Sequence, residues 1–515
     1  MNVRLLSGGV AGVDAFAVDV EVDYAKQGLP AFNMVGLPEA EVRESRDRVL
    51  AAIRASGFRL PPARVTVNLA PAGRKKTGAG YDLPLALGLL AAAGYIDIES
   101  LSGYYFSAEL SLSGILRSAP GVLPLAILAR NEEARGLVVA PENAREAAIV
   151  RDLEVYAPET LLECVRFLKG EAPLEPWPET SFDDTSSGRV RYAADFAEVK
   201  GQMGAKRAME IAAAGNHNIL LIGPPGSGKT MLAQRLPGIL PPLSFEESLD
   251  VTRIYSVAGL LPPEDGVLRE RPFRAPHHTI SNVAMIGGGR NPRPGEVSLA
   301  HRGVLFLDEL PEYAKASLEA LRQPLEDGVV TVSRASGTVV YPAKCMLVAA
   351  MNPCPCGYLG DSGHVCTCSS EQVAHYRHKL SGPLLDRIDL HVEAPAVPYS
   401  ELRAPTAPED NQWSSEAMSR RIMAAREAQR RRFAGSPVRC NAELSGSMLE
   451  KYCALTESCH ALMQSAMSRL SLSARAYTRV LRVARTIADL AGEENLSENS
   501  LAEAIGLRVL DRPVL

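Results

Sequence analysis

The feature that most restricts the possible folds lies near the middle of the chain. An apolar run at 218–222 leads directly into Gly223-Pro224-Pro225-Gly226-Ser227-Gly228-Lys229-Thr230, and a helical pattern over 231–236 follows. A strand, a glycine-rich loop and a helix in this order form a phosphate-binding unit, and so short an apolar strand is at home in a parallel sheet covered on both faces. Glycine at three of the loop positions lets successive backbone N–H groups point into one anion nest, to which the helix N-terminus adds its positive end. The loop residues shape the cradle, Lys229 reaches the β/γ-phosphates, and Thr230 offers a hydroxyl to Mg²⁺. ATP and Mg²⁺ are therefore the expected ligands.

Two further strand ends complete such a site. The run 304–307 (VLFL) stops at Asp308-Glu309, which supplies one carboxylate for the metal and one to activate water. The run 345–350 is followed by Met351-Asn352, which places a neutral amide where it could orient the attacking water.

The rest of the chain must accommodate this unit. Its 515 residues suggest about three domains, and 46% hydrophobic with 22% charged residues excludes disordered and fibrous classes. The longest uncharged apolar stretch, 83–96, is broken by Pro84, Gly88 and Gly94 and falls short of the roughly 20 residues of a membrane span. With no export signal in the first residues, a cytoplasmic location is expected. A net charge of −5 means that any nucleic-acid partner must be held by local basic patches.

The stretch 171–188 holds five acidic residues and three prolines with no basic residue, and marks a linker at 169–188. Residues 1–168 read as an α/β domain, with strands expected at 15–22 and 64–69 and helices at 39–56 and 83–93. Residues 189–394 read as a parallel α/β core, and a second proline-rich break at 394–409 introduces a helical region, 395–515. The segment 328–344 has two β-branched runs around Ser333–Gly337, a hairpin pattern with Arg334 at its tip. The 416–433 helix carries six arginines against two glutamates, and Arg469, Arg475, Arg479, Arg482 and Arg485 follow; both stretches could face phosphates. His277 and His278 are adjacent and would face opposite sides of a strand, so a shared metal is not expected.

Four of the nine cysteines, Cys354, Cys356, Cys366 and Cys368, fall in a glycine-containing loop, 354–368. In a reducing compartment such a cluster points to a metal rather than a disulfide framework. Four thiolates suit one closed tetrahedral Zn²⁺, with His364 as a possible substitute ligand.

These motifs together resemble the magnesium-chelatase-like AAA+ ATPases. The resemblance is carried by GPPGSGKT, by 272–289 (PFRAPHHTISNVAMIGGG) with 292–310, by LLDRIDL (384–390) and by 473–490. The N-terminal segments VTVNLAPAG (65–73), GAGYDLPLALGLLAA (78–92) and 108–129 resemble the Lon-type, ribosomal-S5-like proteolytic domain. The combination is similar to the ComM/YifB family over almost the whole chain.

The resemblance implies Asp308 on the metal and Glu309 as base. It also implies Arg387 as an arginine finger supplied to a neighbouring subunit, Arg475 as the sensor-2 arginine, and a homo-oligomer, most commonly a hexamer. The 328–344 hairpin and the 285–290 loop with Arg293 would face the ring's pore, making Arg334, Arg290 and Arg293 candidate DNA contacts. In the Lon-like domain the nucleophilic serine falls at Gly80, and Leu123 and Leu125 occupy the region of the base, so proteolysis is not expected. The implied activity is that of an ATP-driven DNA helicase or branch-migration motor acting in homologous recombination and natural transformation. The alternatives are a chelatase-type motor that remodels a protein partner and an ATP-dependent protease.

Overall fold

The computed structural model describes residues 2–26, 29–180, 182, 194–334, 337–361, 363–399, 401, 412–470 and 472–511. Most of the acidic half of the expected linker (181, 183–188) and most of the second break (400, 402–409) lie outside them. The described part of the linker runs along the N-terminal region, with Trp177 N donating to Val155 O at 2.7 Å and Thr180 N to Ala148 O at 3.0 Å.

The N-terminal strands are β1 (Asn2–Ala11), β2 (Asp14–Ala25), β3 (Ala31–Val35), β4 (Arg64–Ala70), β5 (Tyr104–Ser107), the small hairpin β6 (Glu109–Leu110) and β7 (Leu116–Arg117), β8 (Gly136–Val139) and β9 (Val155–Tyr156). Seven of them form one mixed sheet in the order β3-β4-β2-β1-β5-β8-β9. Along β2, Val18, Val20, Val22 and Tyr24 alternate inward, the period-two pattern of a strand with one face on a core. That face is covered by the helices Ala40–Ala55 and Asp82–Ala92, the second buried on every side.

The second half contains β10 (Ile219–Ile222), β11 (Phe273–Arg274), the short pair β12 (Gly287–Gly288) and β13 (Arg293–Pro294), β14 (Val304–Leu307), the hairpin β15 (Val329–Arg334) and β16 (Gly337–Pro342), β17 (Met346–Met351) and β18 (Leu390–Glu393). Five of these make a wholly parallel sheet ordered β11-β14-β17-β10-β18. Its strands alternate between two cores. Ile219, Leu221, Phe306 and Val348 pack with the C-terminal helices, whereas Leu220, Leu305, Leu307 and Leu347 pack with Tyr313, Val330 and Tyr341. Burial on both faces explains why these strands read as unbroken apolar runs.

The C-terminal helices Ser415–Arg432, Glu457–Leu470, Ala474–Ala491 and Glu498–Gly506 cover the first of these cores. Many arginines that the sequence offers as phosphate contacts have internal partners instead. Arg421 pairs with buried Glu210, Arg432 and Arg485 with buried Asp489, and Arg479 with buried Asp389. Arg430 and Arg431 lie beside Glu427 on the exposed face.

The two halves touch directly. Gly121 N donates to Ser256 O at 2.9 Å, Arg253 pairs with Asp14, and Val13, in the β1–β2 turn, is buried in the same cluster as Tyr341 of β16. Among the described residues no helix is long and apolar enough to cross a membrane.

Candidate nucleotide site and cysteine centre

In the parallel register Ile222 lies beside Met351 and Leu307 beside Ala349, so β10, β14 and β17 release their next residues at one edge of the sheet. The carboxyl edge of a parallel sheet is where ligands bind in open α/β folds. The loop after β10 is closely held: a Cβ on Gly223 would lie 2.0 Å from Ala394 O, which excludes any other residue there. Gly226 and Gly228 have φ of 75° and 88°, and the helix Lys229–Arg235 starts from this turn.

Lys229 is 8% exposed, and its Nζ donates to Gly223 O and Pro224 O, both at 2.8 Å, with Asn352 Oδ1 at 3.4 Å. Burial holds its ammonium below the usual lysine range, against the upward pull of Asp308. A poorly solvated ammonium facing carbonyls is suited to exchange them for phosphate oxygens. Thr230 Oγ1 donates to Asp308 Oδ2 at 2.8 Å, which sets two hard oxygen donors side by side, the chemistry Mg²⁺ selects. Asp308 Oδ1 in turn accepts from Glu309 N at 2.9 Å.

Glu309 has φ 52°, a left-handed conformation that non-glycine residues adopt at a cost of about 1 kcal/mol or more and mainly at functional sites. The turn aims its carboxylate at His278, whose Nδ1 lies 3.3 Å from Oε2. This departs from the sequence expectation. His277 and His278 follow β11 in a loop, so their rings do not diverge but pack together, tilted by 34° at 4.1 Å, with His278 edge-on to Tyr313. The His278–Glu309 contact joins positions 31 apart and has no local sequence signal.

Gln202, like His278, has no local sequence signal for its role. It is buried, and its Nε2 donates to Ser227 O at 2.8 Å, bracing the phosphate loop from outside.

The arginines expected from the resemblance fall elsewhere. Arg387 Nε and Nη1 donate to Arg322 O at 2.9 Å and Pro383 O at 2.7 Å, and Nη2 pairs with Glu326. Arg475 is 63% exposed with Asp386 at 3.9 Å. Both line one cleft of about 570 Å³ that includes no residue of 223–230, so the chain's own phosphate loop and these two arginines belong to different surfaces. Arg479, one turn further along the same helix, is committed to Asp389. Against the upward push of burial, the His217 hydrogen bond and the Arg479 charge hold that carboxyl well below its usual range.

The hairpin β15–β16 forms with Arg334 opposite Gly337, the Arg334 side chain lying outside the described residues. Arg293 is exposed on β13, and Arg290, 85% exposed, sits 3.8 Å from Glu39 of the N-terminal region.

The four clustered cysteines meet. Cys354 Sγ lies 3.3 Å from Cys356 Sγ and 3.7 Å from Cys366 Sγ, and Cys356 Sγ lies 3.5 Å from Cys366 Sγ, while Cys368 Sγ accepts from Cys356 N. All four ligand atoms lie within 4.8 Å of one another. Zn–S bonds of about 2.3 Å in a tetrahedron require S···S separations of about 3.8 Å, so the donor set fits zinc. The thiols divide: backbone N–H groups of Tyr358 and Thr367 pull Cys356 down to about 6, while, against a backbone hydrogen bond to each, the neighbouring sulfurs push Cys366 and Cys368 up. His364 is not part of the group: it bonds to Asp361 at 2.8 Å and packs its ring, tilted, against Tyr358. The loop abuts the phosphate cradle, since a Cβ on Gly357, which has φ 89°, would lie 2.7 Å from Pro225 Cδ.

In the N-terminal half, a Cβ on Gly80 would lie 2.7 Å from Ser107 Oγ, and Leu123 and Leu125 are buried in helix Val122–Asn131. Lys76 is fully buried on Gly36 O and Pro71 O, and Lys75 pairs with Glu39 at 2.7 Å.

Comparison with known proteins agrees with this geometry. The model described as magnesium chelatase, subunit ChlI, matches residues 195–402; that described as subunit ChlI of Mg-chelatase matches 20–143; and that for the ChlI C-terminal region matches 412–508. The chain is 44% identical to competence protein ComM of Haemophilus influenzae over 97% of its length and 96% of that protein. It is 43% identical to the uncharacterized protein YifB of Salmonella typhimurium over 97% of this chain and 96% of YifB. The magnesium-chelatase 67 kDa subunit of Chlorobaculum parvum is 26% identical over 31% of this chain and 23% of that subunit. With its phosphate loop and paired carboxylates at one edge of a parallel sheet and near-full-length identity to these relatives, the chain belongs to the ComM/YifB family of magnesium-chelatase-like AAA+ ATPases.

Proposed function

We propose that the chain is an ATP-hydrolysing hexameric motor that moves DNA, promoting branch migration during recombination of incoming strands. The observation that carries the ATPase part is the convergence of Lys229, Thr230, Asp308 and Asn352 at one sheet edge. The choice of DNA as track is supported by near-full-length identity to a protein named for competence.

In this reading residues 189–394 are the motor core and 395–515 the helical lid. Residues 1–168 are a Lon-like scaffold, joined to the core by the linker 169–188. The scaffold role is supported by the crowding of Gly80 and by the engagement of Lys75 and Lys76 with internal partners.

Gly223 through Gly228 and Lys229 grip the phosphates, Glu309 takes a proton from the attacking water, and Asn352 orients that water. Mg²⁺, held by Thr230 and Asp308, would neutralise charge on the phosphates. Arg387 and Arg475, set apart from their own phosphate loop, face the nucleotide of a neighbouring subunit. The β15–β16 hairpin with Arg334, and the β12–β13 segment with Arg290 and Arg293, reach the DNA backbone through sequence-independent phosphate contacts.

The test is ATP-dependent movement of a synthetic mobile Holliday junction, with wild type beside Lys229→Ala; movement by wild type alone is expected. The magnesium-chelatase models that match 20–143, 195–402 and 412–508 favour a second reading, remodelling of a protein partner. An immobile junction together with ATPase that DNA does not stimulate would support it.

Zinc at Cys354, Cys356, Cys366 and Cys368 is a structural support for Asn352 and Pro225, with all four positions filled by protein and no role in hydrolysis. Purified protein is expected to carry about one zinc per chain by elemental analysis. Cys354→Ser with Cys366→Ser should abolish the metal and lower the melting temperature, and full metal-free stability in the wild type would remove the assignment.

A further inference from the structure

A second basic cleft, of about 590 Å³, lies where the C-terminal helices meet the α/β core and adjoins the Arg387 cleft through Lys344 and Glu443. Its charge is unbalanced. Arg271 and Arg302 enter from the core, and Arg426 and Arg439 from the helical side. Three of these guanidinium groups share one central carboxylate: Glu247 Oε2 accepts from Arg271 Nη2 at 3.0 Å, while Glu247 Oε1 lies 3.8 Å from Arg302 and 3.9 Å from Arg439. Asp250 stands 3.6 Å from Arg302, and the lining acids Glu427 and Glu443 lie beside Arg430 and Lys344. Arg426 donates to Ala213 O at 3.1 Å.

Two buried donors in this group, Arg302 Nε and Arg426 Nε, have no acceptor among the described residues. A desolvated guanidinium N–H without a partner is costly, and like charges brought together raise that cost. The crowding is felt at Arg271, where burial, opposed by Glu247, and then Arg426 and Arg302 push the guanidinium below its ordinary range. Arg302 is held here in a left-handed conformation, φ 59°, rare for a non-glycine residue. Leu240, Pro241 and Phe433 give the cleft an apolar wall. Forked cationic donors facing an apolar surface in a cleft of this size match a phosphorylated ligand of nucleotide dimensions.

We propose that this seam is a second phosphate-binding site, distinct from the 223–230 loop, which takes the phosphate chain of a nucleotide-sized molecule and ties the C-terminal helices to the core. The phosphates could belong to a free ligand or to a nucleic-acid backbone; a cleft of about 590 Å³, on the scale of one nucleotide, favours the former. The test uses full-length Lys229→Ala, in which the first site is disabled, titrated calorimetrically with tripolyphosphate. One saturable site per chain is expected. Arg426→Gln should weaken it at least about tenfold, and Arg439→Gln, at a half-exposed position that the fold tolerates, about threefold without changing the melting temperature. A single-stranded oligonucleotide whose affinity is unchanged by these substitutions identifies the ligand as free; a parallel loss assigns the site to nucleic acid. No saturable binding, or binding indifferent to both substitutions (an adventitious ion only), overturns the proposal. Because the readout is binding without turnover, its failure is separable from failure of the motor reading.

Discussion

Glu309→Gln is expected to lower steady-state ATP turnover by about two to four orders of magnitude while leaving ATP binding intact. The substitution keeps the volume and the left-handed turn but removes the group able to accept a proton. The phosphate grip is assigned to other side chains: Lys229 on the loop carbonyls, and Thr230 bonded to Asp308 at 2.8 Å. The effect should therefore fall on kcat rather than on affinity, and the protein should accumulate with ATP bound. Steady-state hydrolysis and direct measurement of retained nucleotide check both halves. His278→Ala, which removes only the partner 3.3 Å from Glu309, should cost about tenfold or less, as expected when a positioning contact is lost and the base is kept. Normal turnover in Glu309→Gln would remove the residue from the reaction and leave Asp308 as the carboxylate to test.

How much of this site can be read in sequence depends on whether its parts are local. The loop 223–230 and the strands 219–222, 304–307 and 346–351 were legible because each is a short apolar run ending in an informative polar residue, and burial on both sheet faces keeps those runs unbroken. The hairpin was legible from its two β-branched arms, and the cysteines from their density. In the N-terminal half, by contrast, β1 carries Gly8 and Gly9 among its apolar residues, and β5, β8 and β9 are only four, four and two residues long. Their register is set by partners far along the chain, as when Leu6 pairs with Tyr105, and no window of periodicity contains it. The same holds for side chains. His278 beside Glu309, Gln202 beneath Ser227, and Glu326 on Arg387 are pairings made by the fold. The arginine-rich helices show the opposite failure: a local charge pattern suggested a phosphate-facing surface, and the acids that pair with it, Glu210, Asp389 and Asp489, come from other elements or from a more distant turn.

Arg387→Ala is expected to have the largest effect, a loss of turnover of about 10³–10⁵-fold, the range associated with arginine fingers. Its present surroundings offer a competing explanation that must be separated from this one. The side chain is 12% exposed and paired with Glu326, and in the competing account its loss acts only by weakening the segment between Arg322 and Arg387. The two accounts diverge in two measurements. If the ion pair is what matters, Glu326→Gln should reproduce the loss; if the guanidinium acts on a neighbour's nucleotide, Glu326→Gln frees it and turnover is retained. The second measurement mixes subunits. Arg387→Ala chains keep a working phosphate loop, Lys229→Ala chains keep the arginine, and each is inactive alone. In randomly mixed rings with head-to-tail interfaces, about a quarter of the junctions would combine an intact loop with an intact arginine, so activity should reappear and peak near equal proportions. An arginine that served its own subunit would give no recovery at any ratio, because neither chain type would contain a complete site. Recovery on mixing, together with an active Glu326→Gln, would place Arg387 across the subunit boundary and make the assembled ring, not the single chain, the catalytic unit.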